Sequence, residues 1–273
     1  MQTAQFELHA EIERKHWWFV ARRQIVRSLV EAVTPDRSAR VIDVGCGTGA
    51  NVAALADRFN CVGIDTSNEA IELARRQSPT LRFVVGFAPD DLGDSMAEAN
   101  AVLLMDVLEH VDDDFALFSK LVAAASPGCH FLVTVPADPT LWSVHDEAFG
   151  HYRRYTRPRL ELLWQGLPIE VRLLSHFNTR LLPLIKAIRA RNRRSRTSSG
   201  AAGTDFWMPL GPVNASLRAI FAGERHRLLG ALTGRREGYQ AGASLIAVLR
   251  RQTGPCQVRG RPEVVVPDAE LRG

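Results

Sequence analysis

An aliphatic run, Val41-Ile42-Asp43-Val44, opens into Gly45-Cys46-Gly47-Thr48-Gly49 and then into residues of helical character. Glycines at alternate positions let the chain turn tightly and bring backbone N–H groups up to a ligand. The spacing is G-x-G-x-G, one residue short of the G-x-G-x-x-G fingerprint of dinucleotide-binding turns. Asp43, within the strand end, adds an acid that faces the turn. Such an acid favours a ligand that carries a cation beside its anion, whereas a pyrophosphate gains nothing from it. Asp65 ends the next apolar run, where a carboxylate can accept hydrogen bonds from both hydroxyls of an unphosphorylated ribose. Taken alone, Asp65 before Thr66-Ser67 also reads as a turn or helix-cap residue; together with Asp43 and the three glycines it favours nucleoside binding.

A second set of reactive side chains lies in the Pro- and aromatic-rich stretch 136–157. His145 and His151 are the candidate general bases there, because an imidazole near neutral pKa suits the removal of a hydroxyl proton. The competing reading is structural: the His, Arg and Tyr cluster around 145–155 ties the loop to the domain by hydrogen bonds and ion pairs. His110 fits a structural helix-start position better than a catalytic one. The carboxylates and histidines lack a recognisable ligand spacing, so no metal site is expected. Cys46, Cys61, Cys129 and Cys256 have neither zinc-site pairing nor disulfide density, which fits a reduced compartment.

These residues need a scaffold, and the patterning supplies one. Short β-branched runs at 40–44, 61–65, 81–86, 101–105 and 130–135 alternate with helical stretches at 50–58, 68–77 and 112–125. Alternation of this kind predicts a Rossmann-like, doubly wound α/β fold with a mostly parallel sheet, completed to seven strands near 170–174 and 243–249. Ahead of it, residues 1–36 read as a helical lid carrying Trp17, Trp18, Phe19, Arg22 and Arg23. Three adjacent aromatic residues on a helix cannot all face one core. Residues 37–177 form the cofactor domain; 178–240 read as a helical cap with an Arg-rich linker; 241–252 hold the last strand; 253–273, rich in Pro, Gly and Arg, are expected to be disordered.

The chain has 273 residues, 34 basic against 30 acidic side chains, and 46% hydrophobic residues, enough for a sizeable core. Lysine occurs only at 15, 120 and 186, so arginine supplies the rest of the positive charge. A surplus of +4 is too small to imply nucleic acid. The Arg189–196 run lacks interleaved aromatic residues, which disfavours base stacking further. It reads as a solvated helix end or as an anionic-lipid contact through 178–232. No apolar run reaches the length of a membrane span, so the expectation is a cytoplasmic protein, in contact at most with the inner face of a membrane. Oligomeric state is not legible.

The glycine turn, Asp65, and Asp106-Val107-Leu108-Glu109-His110-Val111 after the fourth strand together resemble the class I S-adenosylmethionine-dependent methyltransferases. The resemblance implies that Asp43 and the backbone of Gly45, Cys46, Gly47 and Gly49 hold the methionine part. It further implies that Asp65 with Thr66 binds ribose and that Met105 and Asp106 complete the pocket. Arg22 is expected to pair with the cofactor's carboxylate. Where many relatives have Gly-Asp-Ala after strand three, this chain has Gly86-Phe87-Ala88, and Phe87 cannot accept a hydrogen bond from adenine. His16-Trp17-Trp18-Phe19, His145-Asp146, the 150–156 segment, Pro212-Val213-Asn214, Glu224-Arg225 and Gly242-Ala243-Ser244-Leu245 resemble bacterial members that accompany glycan and lipid-linked sugar biosynthesis. The implied activity is O-methylation of a small or lipid-linked sugar or secondary metabolite. Two other readings are an NAD(P)-dependent oxidoreductase, which the glycine spacing and Asp43 disfavour, and a non-catalytic cofactor-binding module, which needs no base.

Overall fold

The computed structural model describes residues 11–195 and 207–262, the side chains of 193–195 excepted. Its strands are β1 (Arg40–Val44), β2 (Asn60–Asp65), β3 (Arg82–Val85), β4 (Ala101–Met105), β5 (His130–Pro136), β6 (Ile169–Phe177) and β7 (Ser244–Arg251). They form one seven-stranded sheet in the order β3-β2-β1-β4-β5-β7-β6. The first five strands are parallel, and β7 runs antiparallel to both β5 and β6. Strand order reverses between β1 and β4, which opens a crevice at the carboxyl ends of those two strands.

The central strands read as unbroken aliphatic runs because both of their faces are covered. Val41 and Leu103 join the core that holds Ile25 and Leu29 of α1 (Trp17–Val33), and their neighbours Ile42, Val102 and Leu104 join the opposite core. The α1 side is completed by α2 (Ala50–Leu55) and α3 (Asn68–Gln77). The other side is filled by Phe115 and Phe118 of α4 (Asp114–Ala124), followed by α5 (Val144–Ala148) and α6 (Arg157–Glu161). Ser67 caps α3, Asp113 caps α4 and Thr156 caps α6. Each side chain accepts a hydrogen bond from a backbone N–H of the first turn, satisfying donors that have no partner in the helix. The expected helix at 112–125 therefore starts two residues late.

Between β6 and β7 the chain inserts α7 (Leu182–Ser195), α8 (Gly211–Ala222) and α9 (Arg225–Leu232). Periodicity predicts one helix over 213–232, but the chain breaks at Gly223-Glu224. The Glu224 carboxylate is wholly buried and accepts from the backbone N–H groups of Thr179 (2.9 Å) and Arg180 (2.8 Å), joining the end of α8 to the start of the insertion.

The expectation of disorder over 253–273 fails for residues 253–262. The Arg259 N–H donates to Ser119 Oγ at 3.0 Å, and its Nη2 donates to the carbonyls of Leu162 (2.7 Å) and Leu163 (3.1 Å). Composition is blind to such specific main-chain contacts. Most of the linker at 195–204 and residues 263–273 lie outside the described residues. Among the described residues, no helix is long and apolar enough to cross a membrane.

Candidate active site

The glycine turn is held from behind by β2. The N–H groups of Gly45 and Cys46 both donate to the Ile64 carbonyl, at 2.8 and 3.1 Å. Asp65 grips the same turn, accepting from the Gly47 N–H on Oδ2 (2.8 Å) and from the Ser67 N–H on Oδ1 (2.9 Å). A Cβ on Gly45 would come within 2.6 Å of Val107 and one on Gly49 within 2.7 Å of Phe83. At Gly47 nothing lies within 4 Å, so this face opens into the crevice.

Asp43 sits beneath the turn, 2% exposed, and neither of its oxygens has a hydrogen-bond partner. Burial pushes its pKa up to about 7, against the opposing influence of the Asn51 side chain and the Arg22 charge. An orphaned buried acid is costly unless a ligand satisfies it.

The amino-terminal end of α1 borders the same cavity and its later turns are core. Phe19, Ile25, Val26 and Leu29 are buried, whereas Trp17 and Trp18 are half-buried at the cavity edge. One helix thus both borders the cavity and packs in the core. Arg22 is not aimed outward. Its Nη1 donates to Asp106 Oδ2 in a close ion pair, its guanidinium lies 4.6 Å from the Trp18 ring centroid, and its Nε is unpartnered. Asp106 has a left-handed backbone, φ 58°, and Thr134 Oγ1 donates to its Oδ1 at 3.2 Å. A non-glycine residue held in that region marks a constrained position. Met105, Thr66 and Cys46 line the cavity, and Phe87, 68% exposed, stands at its edge.

The two candidate bases part company in the structure. His145 is desolvated and faces Arg189, and its pKa falls to about 3, so it is a poor proton acceptor. His151 Nδ1 lies 3.0 Å from Asp146 Oδ1, the arrangement that fixes the orientation of an imidazole and directs its other nitrogen elsewhere. Burial raises the Asp146 carboxyl, but the His151 hydrogen bond and the charges of Arg154 and Arg189 outweigh it and hold the group well below the usual carboxylate range. Arg154 Nε donates to Asp146 Oδ1 at 2.8 Å. Tyr155 OH and Arg159 Nη2 both meet the buried Asp114, at 2.7 and 2.8 Å. The loop cluster therefore divides: Arg154 and Tyr155 tie the loop down, and His151 faces the cavity.

No ligand spacing in the sequence announces a metal site, yet three side chains of ligating type converge in the fold. Glu109, His110 and His151 come together, with one ligand atom of each within 4.8 Å of the others. Fold contacts create this grouping, so linear spacing cannot reveal it.

One cavity of about 1670 Å³ is lined by Gly45, Gly47, Asp65, Asp106, Glu109 and His151. Its far wall is the insertion, through Leu184, Ile185 and Ile188 of α7 and Val213 and Leu217 of α8. Arg189, expected to be part of a solvated basic run, turns inward and donates to the Leu141 carbonyl beside Asp146. The side chains of Arg193, Arg194 and Arg196 lie outside the described residues. Asn214 was singled out only by resemblance, and it proves to be a latch. Its Oδ1 accepts from the Trp17 N–H (2.9 Å) and its Nδ2 donates to the Lys15 carbonyl (2.9 Å).

A sheet of this order, with a glycine turn after β1 and an acid ending β2, defines the class I S-adenosylmethionine-dependent methyltransferases, whose cofactor is S-adenosylmethionine. The chain belongs to this class: the sequence model of the family "Methyltransferase domain" matches residues 17–172. That membership displaces the oxidoreductase reading. Among curated relatives, the chain is 33% identical over 122 residues to trans-aconitate 2-methyltransferase of Variovorax paradoxus, covering 42% of this chain and 45% of the relative. It is 32% identical over 143 residues to the ubiquinone biosynthesis O-methyltransferase of Xanthomonas campestris, covering 46% and 60%. The chain spans about half the length of the curated relatives it matches. A TehB-like SAM-dependent methyltransferase from Corynebacterium glutamicum shares the fold at TM-score 0.53 and 14% identity, covering 92% of this chain and 100% of the other.

Proposed function

We propose that the protein transfers the methyl group of S-adenosylmethionine to an oxygen of a small acceptor bound beneath the insertion helices. The observation that carries this reading is the continuity of the cavity, from Gly45, Gly47 and Asp65 at one end, above the buried and unpartnered Asp43, to His151 and the apolar insertion wall at the other, with Asp146 behind His151. The residues present fit the cofactor. Asp43 would accept from its ammonium group, Asp65 from its ribose hydroxyls, and the unpartnered Nε of Arg22 would donate to its carboxylate. Gly45, Cys46, Gly47 and Gly49 shape the cradle, with Thr66, Met105 and Asp106 around it.

The cofactor supplies an electrophilic methyl group on a sulfonium. Its transfer is an in-line displacement, so alignment of acceptor and donor is the protein's main contribution, worth about 7–11 kcal/mol in well-oriented systems. An acceptor hydroxyl placed in line with that methyl group would have to lose its proton, and His151, oriented by Asp146, would take it. His145, held uncharged by burial and Arg189, shapes the pocket.

Two relatives named for trans-aconitate and ubiquinone-pathway methylation support a small acceptor. A lipid-linked acceptor presented at a membrane surface is favoured by the apolar side chains exposed around the insertion, Leu210 at 77% and Trp207 at 57%. Incubation with methyl-labelled S-adenosylmethionine and separated aqueous and lipid extracts tests both: label in an extracted species supports transfer, and its phase identifies the acceptor class. Failure to float with anionic vesicles removes the membrane contact.

A further inference from the structure

We propose that Glu109, His110 and His151 form a binding site for one first-row divalent cation of the zinc type, at the acceptor end of the cavity. Two observations carry it independently. The first is convergence: one carboxylate and two imidazoles present ligand atoms within 4.8 Å of one another, with the His110 and His151 rings 4.6 Å apart between centroids. The second is an orphan. Glu109 has no exposed surface, and neither of its carboxylate oxygens has a hydrogen-bond partner.

A buried carboxylate without a partner is expensive, and proteins satisfy such groups with a counter-charge or a metal. No described cation pairs with Glu109. Arg22 is committed to Asp106, and Arg154 to Asp146 and the Ala137 carbonyl. A metal ion at the cluster supplies the missing positive charge.

The cluster is also built in advance. The Tyr152 N–H donates to the Glu109 carbonyl at 2.7 Å. Arg153 donates to the carbonyls of Leu108 (3.2 Å) and Asp112 (2.8 Å), clamping the β4 turn to the loop that carries His151. Asp146 engages His151 Nδ1, which leaves Nε2 as the ligating nitrogen. Carboxylate–histidine pairing behind a metal ligand is the usual way its ring orientation is fixed.

One carboxylate with two imidazoles suits zinc or its first-row neighbours better than calcium or magnesium, which prefer oxygen alone. Three protein ligands leave coordination positions open, as in catalytic rather than structural sites. The inference rests on the methyl-transfer reading for what the cation does and revises it at one residue: with the cation bound, His151 is a ligand, the cation acidifies the acceptor hydroxyl, and the proton leaves to solvent.

The test is cation binding by the chelator-stripped full chain, read without turnover. Cobalt(II) is the spectroscopic probe and zinc the competitor. One equivalent per chain is expected, displaced by zinc. Glu109→Gln and His110→Gln should each weaken binding more than the roughly 10–100-fold that loss of an outer-shell partner costs. Glu109→Gln should leave the melting temperature of the metal-free chain little changed, because the carboxyl it replaces is buried without a partner, so lost binding is separable from lost fold. His110 lies at the open rim, and its variant checks the site without touching the core. Absence of stoichiometric binding, or equal affinity in both variants, would overturn the site. Parallel titration with S-adenosylhomocysteine keeps the two readings apart. Cofactor binding without cation binding refutes the metal site alone, and cation binding without cofactor binding refutes the methyl-transfer reading alone.

Discussion

Asp43, proposed to bind the cofactor's ammonium group, is buried without a partner and so opposes stability in the cofactor-free chain. Its folded-state pKa, pushed up to about 7 by burial, exceeds the ordinary carboxylate value, so the folded chain holds the proton more tightly than the unfolded chain does. The stabilisation linked to that proton is complete below about pH 4 and is lost as pH rises through about 7. Asp43→Asn should therefore raise the melting temperature of the cofactor-free protein at pH 8, by about 2–4 °C for each kcal/mol recovered, with little change at low pH. The same replacement should abolish cofactor binding. In the wild type, S-adenosylmethionine affinity should rise between pH 6 and pH 8 as the carboxylate needed by the ammonium forms. Calorimetric titration at both pH values checks this, and a flat profile would remove Asp43 from the site. Asp65 holds the turn through two backbone hydrogen bonds and is proposed to bind the ribose as well. Asp65→Ala should cost about 1.5–3 kcal/mol of cofactor binding, the range for hydrogen bonds to a charged group. The glycine turn and both acids were legible in the sequence because all their determinants are local. The Glu109–His110–His151 cluster was not, because a backbone hydrogen bond from Tyr152 and the Arg153 clamp create it between distant segments.

At the scale of elements, strands and sheet order followed from aliphatic runs that only a doubly covered sheet explains. The insertion was less legible. Its amphipathic pattern predicts a helix, but Glu224 decides where that helix breaks, and Asn214 decides what α8 holds. Asn214→Ala should unlatch the amino-terminal end of α1 and speed amide exchange at residues 16–20, leaving exchange in β1 and β4 unchanged. Equal protection in the variant would show that Trp17 packing alone holds the helix. Tyr155→Phe tests the loop anchor. Leaving the buried Asp114 short of a donor should destabilise the chain by about 1–3 kcal/mol in denaturant unfolding, and an unchanged midpoint would count against the anchoring role.

Across the whole molecule, the surplus of arginine acquires a different meaning. Arg22, Arg154, Arg159 and Arg189 are turned inward onto Asp106, Asp114 and Asp146, around the cavity and the loop that closes it. The planar guanidinium bonds several acceptors at once, which suits buried networks better than an ammonium does. The charge thus organises the interior around the cavity, and its small net excess says little about partners. Methyl transfer itself is read by mass spectrometry of extracts incubated with the full chain and methyl-labelled S-adenosylmethionine. A label-bearing species is expected, with S-adenosylhomocysteine formed in equal amount and both lost in Asp43→Asn. One-to-one cofactor binding with no label in any aqueous or lipid species would contradict methyl transfer and leave a chain that binds the cofactor without using it.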